Sequence, residues 1–247
     1  ASEVEVLVGY DHVIGKATQK VEEILSSGVI GEVETIDVEF REHWGGIFKA
    51  HPWLSGPEDT YLGYWERGGG ASGEHSHAMN LWQHFAHVVG AGRVVEVDAL
   101  LQYETEGKAE YDKLCFLNLK TKEGLVGRVV QDVVTKPARK VAKIQGQKGA
   151  IEWVYGYSEE GDAVILHQVD APEKVHLIKK KRADDFIEEL KYLDGHLKVG
   201  AGQPVTGLER GLDTMLVVAA AHQSESKQSR IYIDYTKGYT PEALNTH

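Results

Sequence analysis

The 247-residue sequence has one cysteine, Cys115, only six prolines, and no apolar run long enough to cross a bilayer. A single cysteine excludes a disulfide framework within the chain, and a membrane-spanning helix needs about 20 consecutive apolar residues. The first residues are acidic and lack the basic segment that opens a signal peptide. We therefore expect a cytoplasmic protein with no membrane partner.

Basic residues are also in the minority, because 27 Lys and Arg stand against 38 Asp and Glu, for a net charge of −11. A field of this sign repels phosphate backbones, so the composition argues against a nucleic-acid partner. Apolar residues make up 42% of the chain, which is enough for a globular core.

The hydrophobic pattern predicts an α+β fold. Apolar alternation indicates strands, and a spacing of three to four residues indicates helices. The predicted order is a strand at 4–8, a helix near 17–25, a strand at 33–40, an irregular stretch at 41–72, a helix at 74–89, seven strands between 94 and 179, two helices, and a strand at 230–235. Short turns between consecutive strands favour antiparallel pairing. We expect residues 1–247 to form a single domain, with one large, mostly antiparallel open sheet of about seven to nine strands and helices on one face.

The densest group of chemically active side chains follows three glycines at positions 68 to 70. Glu74, His77 and Asn80 recur every three residues, so a helix that begins at 74 would present them as one polar stripe. A carboxylate beside an imidazole is a common way to orient a general base. His75 lies about 100° round such a helix and should point elsewhere.

Two other interpretations fit the same segment. A glycine-rich turn and a capped helix with histidines satisfied in the core would leave no site. Alternatively, His75 and His77 could bind zinc with Glu74, His43 or His51 completing the ligand set. No HExxH or CxxC motif is present, and we expect no metal.

Two further features suggest a small-molecule site. Tyr10, Asp11 and His12 follow the first predicted strand, at the kind of corner where polar site residues collect. The tryptophans at 44, 53 and 65 could stack on a sugar ring or fill a loop core. No GxGxxG motif follows a strand, and no Walker lysine motif is present.

Taken in order, these residues resemble the C-terminal domain of the glucose-fructose oxidoreductase, inositol dehydrogenase and MocA family. The matching pieces are collinear over nearly the whole chain: residues 8–12, the helix and G-x-I-G turn within 21–33, the glycines at 68 to 70 with His77 and Asn80, and the closing segments 185–190, 202–206 and 214–224.

The resemblance implies an NAD- or NADP-dependent oxidoreductase that acts on a hydroxyl of a sugar, sugar derivative or cyclitol. It makes His77 the proton-transfer residue, with Glu74 beside it. The family usually has an aspartate four residues before this histidine, and Gly73 occupies that position here. Asn80 replaces a second aspartate. The residues expected to bind substrate are Tyr10, Asp11, His12, Trp44, Trp65 and Asn80.

The family's Rossmann domain and its E-K-P lysine are absent from this sequence. We therefore expect the chain alone to bind no nicotinamide cofactor and to be inactive, with the cofactor domain on a possible separate partner. We also expect a homo-oligomer formed through the open sheet face, because helices cover one face only and Val126, Val130 and Val134 alternate along one predicted strand. Two alternatives remain, a stand-alone binding or scaffold module and a metal-assisted lyase or isomerase.

Overall fold

Alternating apolar and polar side chains build the sheet at the centre of the molecule. The computed structural model describes residues 5–199 and 204–246, and ten strands of this part form one sheet. In β1 (Val33–Arg41), Ile36, Val38 and Phe40 are buried while their neighbours are at least partly exposed. Burial on one side only means that a single face of the sheet carries the helices and the core.

The remaining strands follow β1 in chain order. They are β2 (Val94–Glu106), β3 (Ala109–Thr121), β4 (Val126–Asp132), β5 (Arg139–Gly146), β6 (Gly149–Ser158), β7 (Gly161–Gln168), β8 (Lys174–Lys179), β9 (Ile231–Ile233) and β10 (Leu244–Asn245). Their order across the sheet is β10-β9-β2-β3-β4-β1-β5-β6-β7-β8. The β1–β4 pair is parallel and the other neighbouring pairs are antiparallel. The predicted α+β class with a mostly antiparallel open sheet is therefore confirmed, and the short β10 takes the strand number to ten.

Six helices accompany the sheet. They are α1 (Lys16–Ser26), α2 (Trp44–Ala50), α3 (Gly70–Glu74), α4 (Ser76–Val88), α5 (Arg182–Val199) and α6 (Leu208–Lys227). The α4 helix lies across β1 and β4, and Trp82 anchors it by donating from Nε1 to the Ile36 carbonyl at 2.8 Å. The α6 helix packs against α4 and β2. No helix in the described ranges is long and apolar enough to cross a membrane.

The other face of the sheet carries a mixture of ion pairs and valines. Arg128 contacts Asp37 at 3.0 Å, and Lys120 contacts Glu96 at 2.7 Å. Val126 lies beside them with 48% of its surface exposed. This face is thus more polar than the valine alternation in β4 suggested.

Three local predictions were wrong. The segment predicted as a strand at 4–8 makes only an isolated bridge, from Leu7 to Gly207. Residue 4 of that segment lies outside the described residues, and so do residues 202 and 203 of the segment 202–206 that resembles the family. The stretch at 41–72 is not irregular, because it contains α2, three 3-10 turns and the start of α3. The helix predicted at 74–89 is broken at His75, whose carbonyl accepts from the Gln131 side chain. Glu74 consequently belongs to α3 and shares no helix face with His77 and Asn80.

Candidate functional site

A cavity of about 440 Å³ opens beside the junction of α3 and α4. Its wall is formed by the 3-10 turn Asp11–Val13, the end of β1, the beginning of β5, the middle of β6 and the first turns of α5. The lining side chains are mostly titratable or aromatic: Asp11, His12, Phe40, Tyr61, Glu74, His75, Ser76, His77, Lys140, Tyr155, Asp185, Phe186 and Glu189.

An aspartate and a histidine face each other in this wall. His77 Nδ1 lies 3.4 Å from Asp11 Oδ1, and that nitrogen is buried with no hydrogen-bond partner among the described residues. The ring edge of Tyr10 packs on His77 at 5.1 Å between centroids, and the Tyr10 hydroxyl donates to Ser76 Oγ at 3.3 Å. About a third of the His77 side chain stays exposed, at 32%. His77 lines the cavity, so the exposed part of its ring is accessible from there.

His12 is the second imidazole beside Asp11, with its Nδ1 3.6 Å from Asp11 Oδ1. Its ring is wedged among the rings of Phe40, Trp153 and Tyr155, at centroid distances of 5.1 to 5.7 Å. The His77 ring lies 5.2 Å away. Close packing on several sides fixes the orientation of this imidazole.

Burial sets the charge state of the Asp11–His77 pair. Burial, together with the charges of Asp185 and Glu189, raises the pKa of Asp11 to about 6. Burial and the Lys140 charge lower the pKa of His77 to about 4. At neutral pH the carboxyl group is therefore ionised and the imidazole is neutral.

The remaining histidines and the acid of α3 respond to the same burial. The pKa of His12 falls well below its ordinary value, and burial with the Lys140 charge lowers the pKa of His75 to about 4. Burial raises the pKa of Glu74. The buried imidazoles of this cavity are thus neutral at neutral pH.

Two lysines provide the positive charge near the cavity. Lys140 lies 3.1 Å from Glu42 and 5.4 Å from the centre of the Tyr155 ring. Lys180 pairs with Asp185 at 2.7 Å and lies 4.1 Å over the same ring. Each ammonium therefore has a carboxylate partner and helps to hold Tyr155 in the wall.

The structure brings together some of the predicted site residues. Asp11, His12, His77 and Glu74 line the cavity, and Tyr10 lies directly behind His77. The carboxylate beside His77 is Asp11, because the break at His75 moves Glu74 onto another helix.

Three predicted substrate-binding residues lie elsewhere. Asn80 is buried and donates to Thr214 Oγ1 of α6 at 3.1 Å. Trp44 is buried against Tyr111, and Trp65 stacks on His222 at 4.9 Å. Their surroundings are packing contacts rather than the cavity wall.

Sequence reasoning missed the residues that other elements bring to the cavity. Lys140 and Tyr155 come from neighbouring strands, and no motif marks either of them. Asp185 and Glu189 are four residues apart on α5, and this spacing places both on one helix face. That pair lies in the segment 185–190 that matches the family, and together these signals point to α5.

A buried hydrogen-bond network fixes α3 behind the cavity. Asp112 Oδ2 accepts from the backbone N–H of Ser72 at 2.7 Å, and Oδ1 accepts from its hydroxyl at 3.0 Å. Ser72 Oγ also contacts His222 Nε2 at 2.9 Å, and the Tyr103 hydroxyl contacts His222 Nδ1 at 2.7 Å. Burial raises the pKa of Asp112 to about 7 and lowers that of His222 to about 4.

The glycine run serves this packing. Gly70 has φ of +80°, and a Cβ there would lie 1.9 Å from Asp112 Oδ1. A Cβ on Gly73 would lie 2.0 Å from the Gly68 carbonyl oxygen. Both glycines are needed for close approach of the chain to itself, so the run is explained without a diphosphate ligand.

The described residues offer different prospects for a cofactor and for a metal. They contain no strand followed by a GxGxxG turn and a helix, the arrangement that binds the diphosphate of a dinucleotide in a Rossmann domain. Over residues 5–199 and 204–246, one group of three His, Cys, Asp or Glu side chains has its ligating atoms within 4.8 Å of one another. That group is Asp11, His12 and His77.

The fold and this site are now comparable with known proteins. The profile of the GFO/IDH/MocA C-terminal domain matches residues 18–152, which is more than half of the chain. The chain belongs to the GFO/IDH/MocA C-terminal domain family. No curated protein matches by sequence.

Solved structures share the fold of this GFO/IDH/MocA domain at low sequence identity. An aldose-aldose oxidoreductase from Caulobacter crescentus, complexed with glycerol, superposes with a TM-score of 0.73 at 16% identity over 93% of this chain and 64% of that one. An inositol dehydrogenase homologue from Azotobacter vinelandii, complexed with NADH and myo-inositol, gives 0.65 at 14% over 92% and 64%. A levoglucosan dehydrogenase, complexed with NADH and levoglucosan, gives 0.73 at 15% over 93% and 66%. The chain thus spans less than two thirds of each of these proteins.

Proposed function

We propose that this chain supplies the substrate-binding part of an NAD(P)-dependent oxidoreductase that acts on a hydroxyl group of a sugar, sugar derivative or cyclitol. The observation that carries the proposal is the pairing of His77 Nδ1 with Asp11 Oδ1 at 3.4 Å in the wall of a 440 Å³ cavity. Family membership supports it, and the relatives named above were solved with glycerol, myo-inositol or levoglucosan.

His77 is the proton-transfer residue in this proposal. The Asp11 carboxylate lies 3.4 Å from Nδ1 and favours a proton on that nitrogen, so the imidazole takes the tautomer whose lone pair is on Nε2. A substrate hydroxyl at hydrogen-bond distance from Nε2 then loses its proton to that nitrogen. The imidazolium that forms is stabilised by the Asp11 carboxylate. Glu74 lines the same cavity and is a second candidate for contact with the substrate.

The cavity wall suits a neutral polyol. Asp11, Asp185 and Glu189 supply acceptors for hydroxyl donors, and the Lys140 ammonium supplies a donor. The Tyr155 ring offers an apolar surface against which the C–H groups of a sugar can pack. His12 holds the Asp11 side of the wall in place through its aromatic neighbours.

We assign only the proton-transfer half of the oxidation to this chain. The family's enzymes take the hydride on a nicotinamide, and the described residues contain no GxGxxG turn between a strand and a helix. The proposal therefore includes a dinucleotide-binding domain outside these residues that contributes the hydride acceptor. It also includes self-association through the open sheet face. On that face Val126 of β4 pairs with Thr35 of β1 and lies two residues from Arg128.

The test measures polyol binding by the chain and by matched variants. Saturation-transfer NMR with myo-inositol and levoglucosan should show ligand contact for the wild type and a clear loss for His77→Gln and Asp11→Asn. His167→Gln is the control, because His167 lies on β7 outside the cavity. Equal signals from wild type and His77→Gln would contradict the proposed site.

Turnover of the enzyme that includes its dinucleotide-binding domain tests the proton-transfer role separately. We expect His77→Ala to lose about 10²- to 10⁴-fold in kcat, the usual contribution of a general base. His167→Ala should keep its rate. An unchanged kcat in His77→Ala would remove His77 from the mechanism even if polyols bind.

A further inference from the structure

We infer that Asp11, His12 and His77 form a binding site for a single divalent transition-metal ion of the zinc type. Asp11 Oδ1 lies 3.4 Å from His77 Nδ1 and 3.6 Å from His12 Nδ1. The ligating atoms of the three side chains all lie within 4.8 Å of one another. The inference goes beyond the proposed function, which needs no metal.

The two distances from Asp11 Oδ1 match the dimensions of a tetrahedral zinc site. Zinc binds histidine nitrogen and carboxylate oxygen at about 2.0 to 2.2 Å, which separates neighbouring ligand atoms by about 3.3 to 3.6 Å. Both measured contacts are at this separation without any movement of the side chains. Two imidazoles with one carboxylate favour zinc, cobalt or nickel over magnesium and calcium, which prefer all-oxygen shells.

The polar atoms of the site also need a partner. His77 Nδ1 is buried and has no hydrogen-bond partner among the described residues, although it points at a carboxylate oxygen. A metal ion between Asp11 and His77 would satisfy both atoms at once. His12 is already fixed by Phe40 and Trp153, so little side-chain freedom is lost on binding.

Three protein ligands leave the fourth position of a tetrahedral ion open toward the cavity, for water or a hydroxyl oxygen. The metal would occupy the Nδ1 lone pair of His77 and the Asp11 oxygen that orients the ring. Metal binding and proton transfer by the Asp11–His77 pair therefore exclude each other, and zinc should inhibit the assembled oxidoreductase. This ligand set differs from the zinc alternative in the sequence analysis, which used His75 and His77 with Glu74, His43 or His51. Backbone groups of α2 already hydrogen-bond to the side chains of His43 and His51.

The experiment titrates the metal-free chain with Zn²⁺ by calorimetry and with Co²⁺ by visible spectroscopy, in the absence of polyol and cofactor. We expect one ion per chain and the intense d–d absorption of four-coordinate cobalt. Asp11→Asn and His77→Gln should each weaken binding by at least about 100-fold, because even outer partners of metal ligands contribute about 10- to 100-fold.

His167→Gln is the matched control, because His167 is a half-buried histidine outside the cavity, with Glu152 at 3.6 Å and Glu173 at 3.3 Å. Its affinity and stoichiometry should equal those of the wild type. Circular dichroism checks that each variant is folded. If His77→Gln does not fold, the near-isosteric variant Asp11→Asn tests the inference. Absence of binding, or equal affinity in the wild type and Asp11→Asn, would overturn the inference. Polyol binding in the presence of a chelator is measured independently, so either proposal can fail without the other.

Discussion

Replacing Asp112 by asparagine should change how the stability of the protein depends on pH. The Asp112 side chain is fully buried, and burial raises its pKa to about 7. A carboxyl group whose pKa is raised in the folded state binds its proton more tightly there than in the unfolded state. The folded protein therefore has its full stability below the unfolded-state pKa of about 3.9, and it loses stability as the pH rises through the folded-state pKa of about 7. Asparagine keeps the shape and can still bond to Ser72, but it does not ionise.

The size of the effect follows from the pKa difference of about 3 units between the unfolded and folded states. At about 1.4 kcal/mol per unit, ionisation of Asp112 costs the folded protein about 4 kcal/mol at pH 8. At pH 5 the same group costs about 1 to 2 kcal/mol, so the change across this window is about 2 to 3 kcal/mol. The free energy of unfolding of Asp112→Asn should not show this decrease between pH 5 and pH 8.

Urea unfolding of the wild type and of Asp112→Asn between pH 4 and 8 provides the measurement. The difference in free energy of unfolding between the two proteins isolates Asp112, because buried histidines such as His222 contribute an opposite trend in both. Asp98→Asn, a change on the bare sheet face, controls for the removal of one negative charge. A pH-independent difference between wild type and Asp112→Asn would refute the reasoning.

Three further predictions concern packing, the cofactor and assembly. Gly70→Ala should lower the free energy of unfolding by at least about 3 kcal/mol, because a positive φ is strained for alanine and the new Cβ would clash with Asp112. Gly68 also has a positive φ, of +85°, but open space around it, so Gly68→Ala should lower the free energy of unfolding by about 1 kcal/mol in the same urea experiment. Calorimetry of residues 1–247 with NADH or NADPH should show no submillimolar binding, and such binding would contradict our assignment of the cofactor to a separate dinucleotide-binding domain. Sedimentation should show a dimer or larger assembly at micromolar concentration that Val126→Lys disrupts, and a monomeric wild type would exclude the sheet-face interface.

The sheet and its main helices could be predicted from the sequence because burial imposes periodicity. In the strand predicted at 33–40, Ile36, Val38 and Phe40 alternate with other residues in the sequence and are buried in the structure. The first strand failed because the apolar residues near Leu7 pair only at Gly207, and a local pattern does not reveal its partner. The break at His75 was missed because Gln131, 56 residues away, supplies the side-chain donor.

The candidate site was only partly predictable for a related reason. His77 and the Asp11 corner were found because each lies in a segment with unusual local composition. Their pairing is tertiary, since the turn that carries Asp11 packs against α4 across a long stretch of chain. The sequence instead favoured Glu74, the nearest acid along the chain, although the break between the two helices carries Glu74 onto α3.

The tautomer of His77 tests the central claim most directly. In metal-free protein at neutral pH, long-range ¹H–¹⁵N correlation spectra of the imidazole distinguish a proton on Nδ1 from one on Nε2. Our account predicts the Nδ1–H tautomer, with that proton directed at Asp11, and a shift of the Nε2 resonance when a polyol such as myo-inositol is added. A proton on Nε2, together with no response to polyol, would contradict the role of His77 as the proton acceptor.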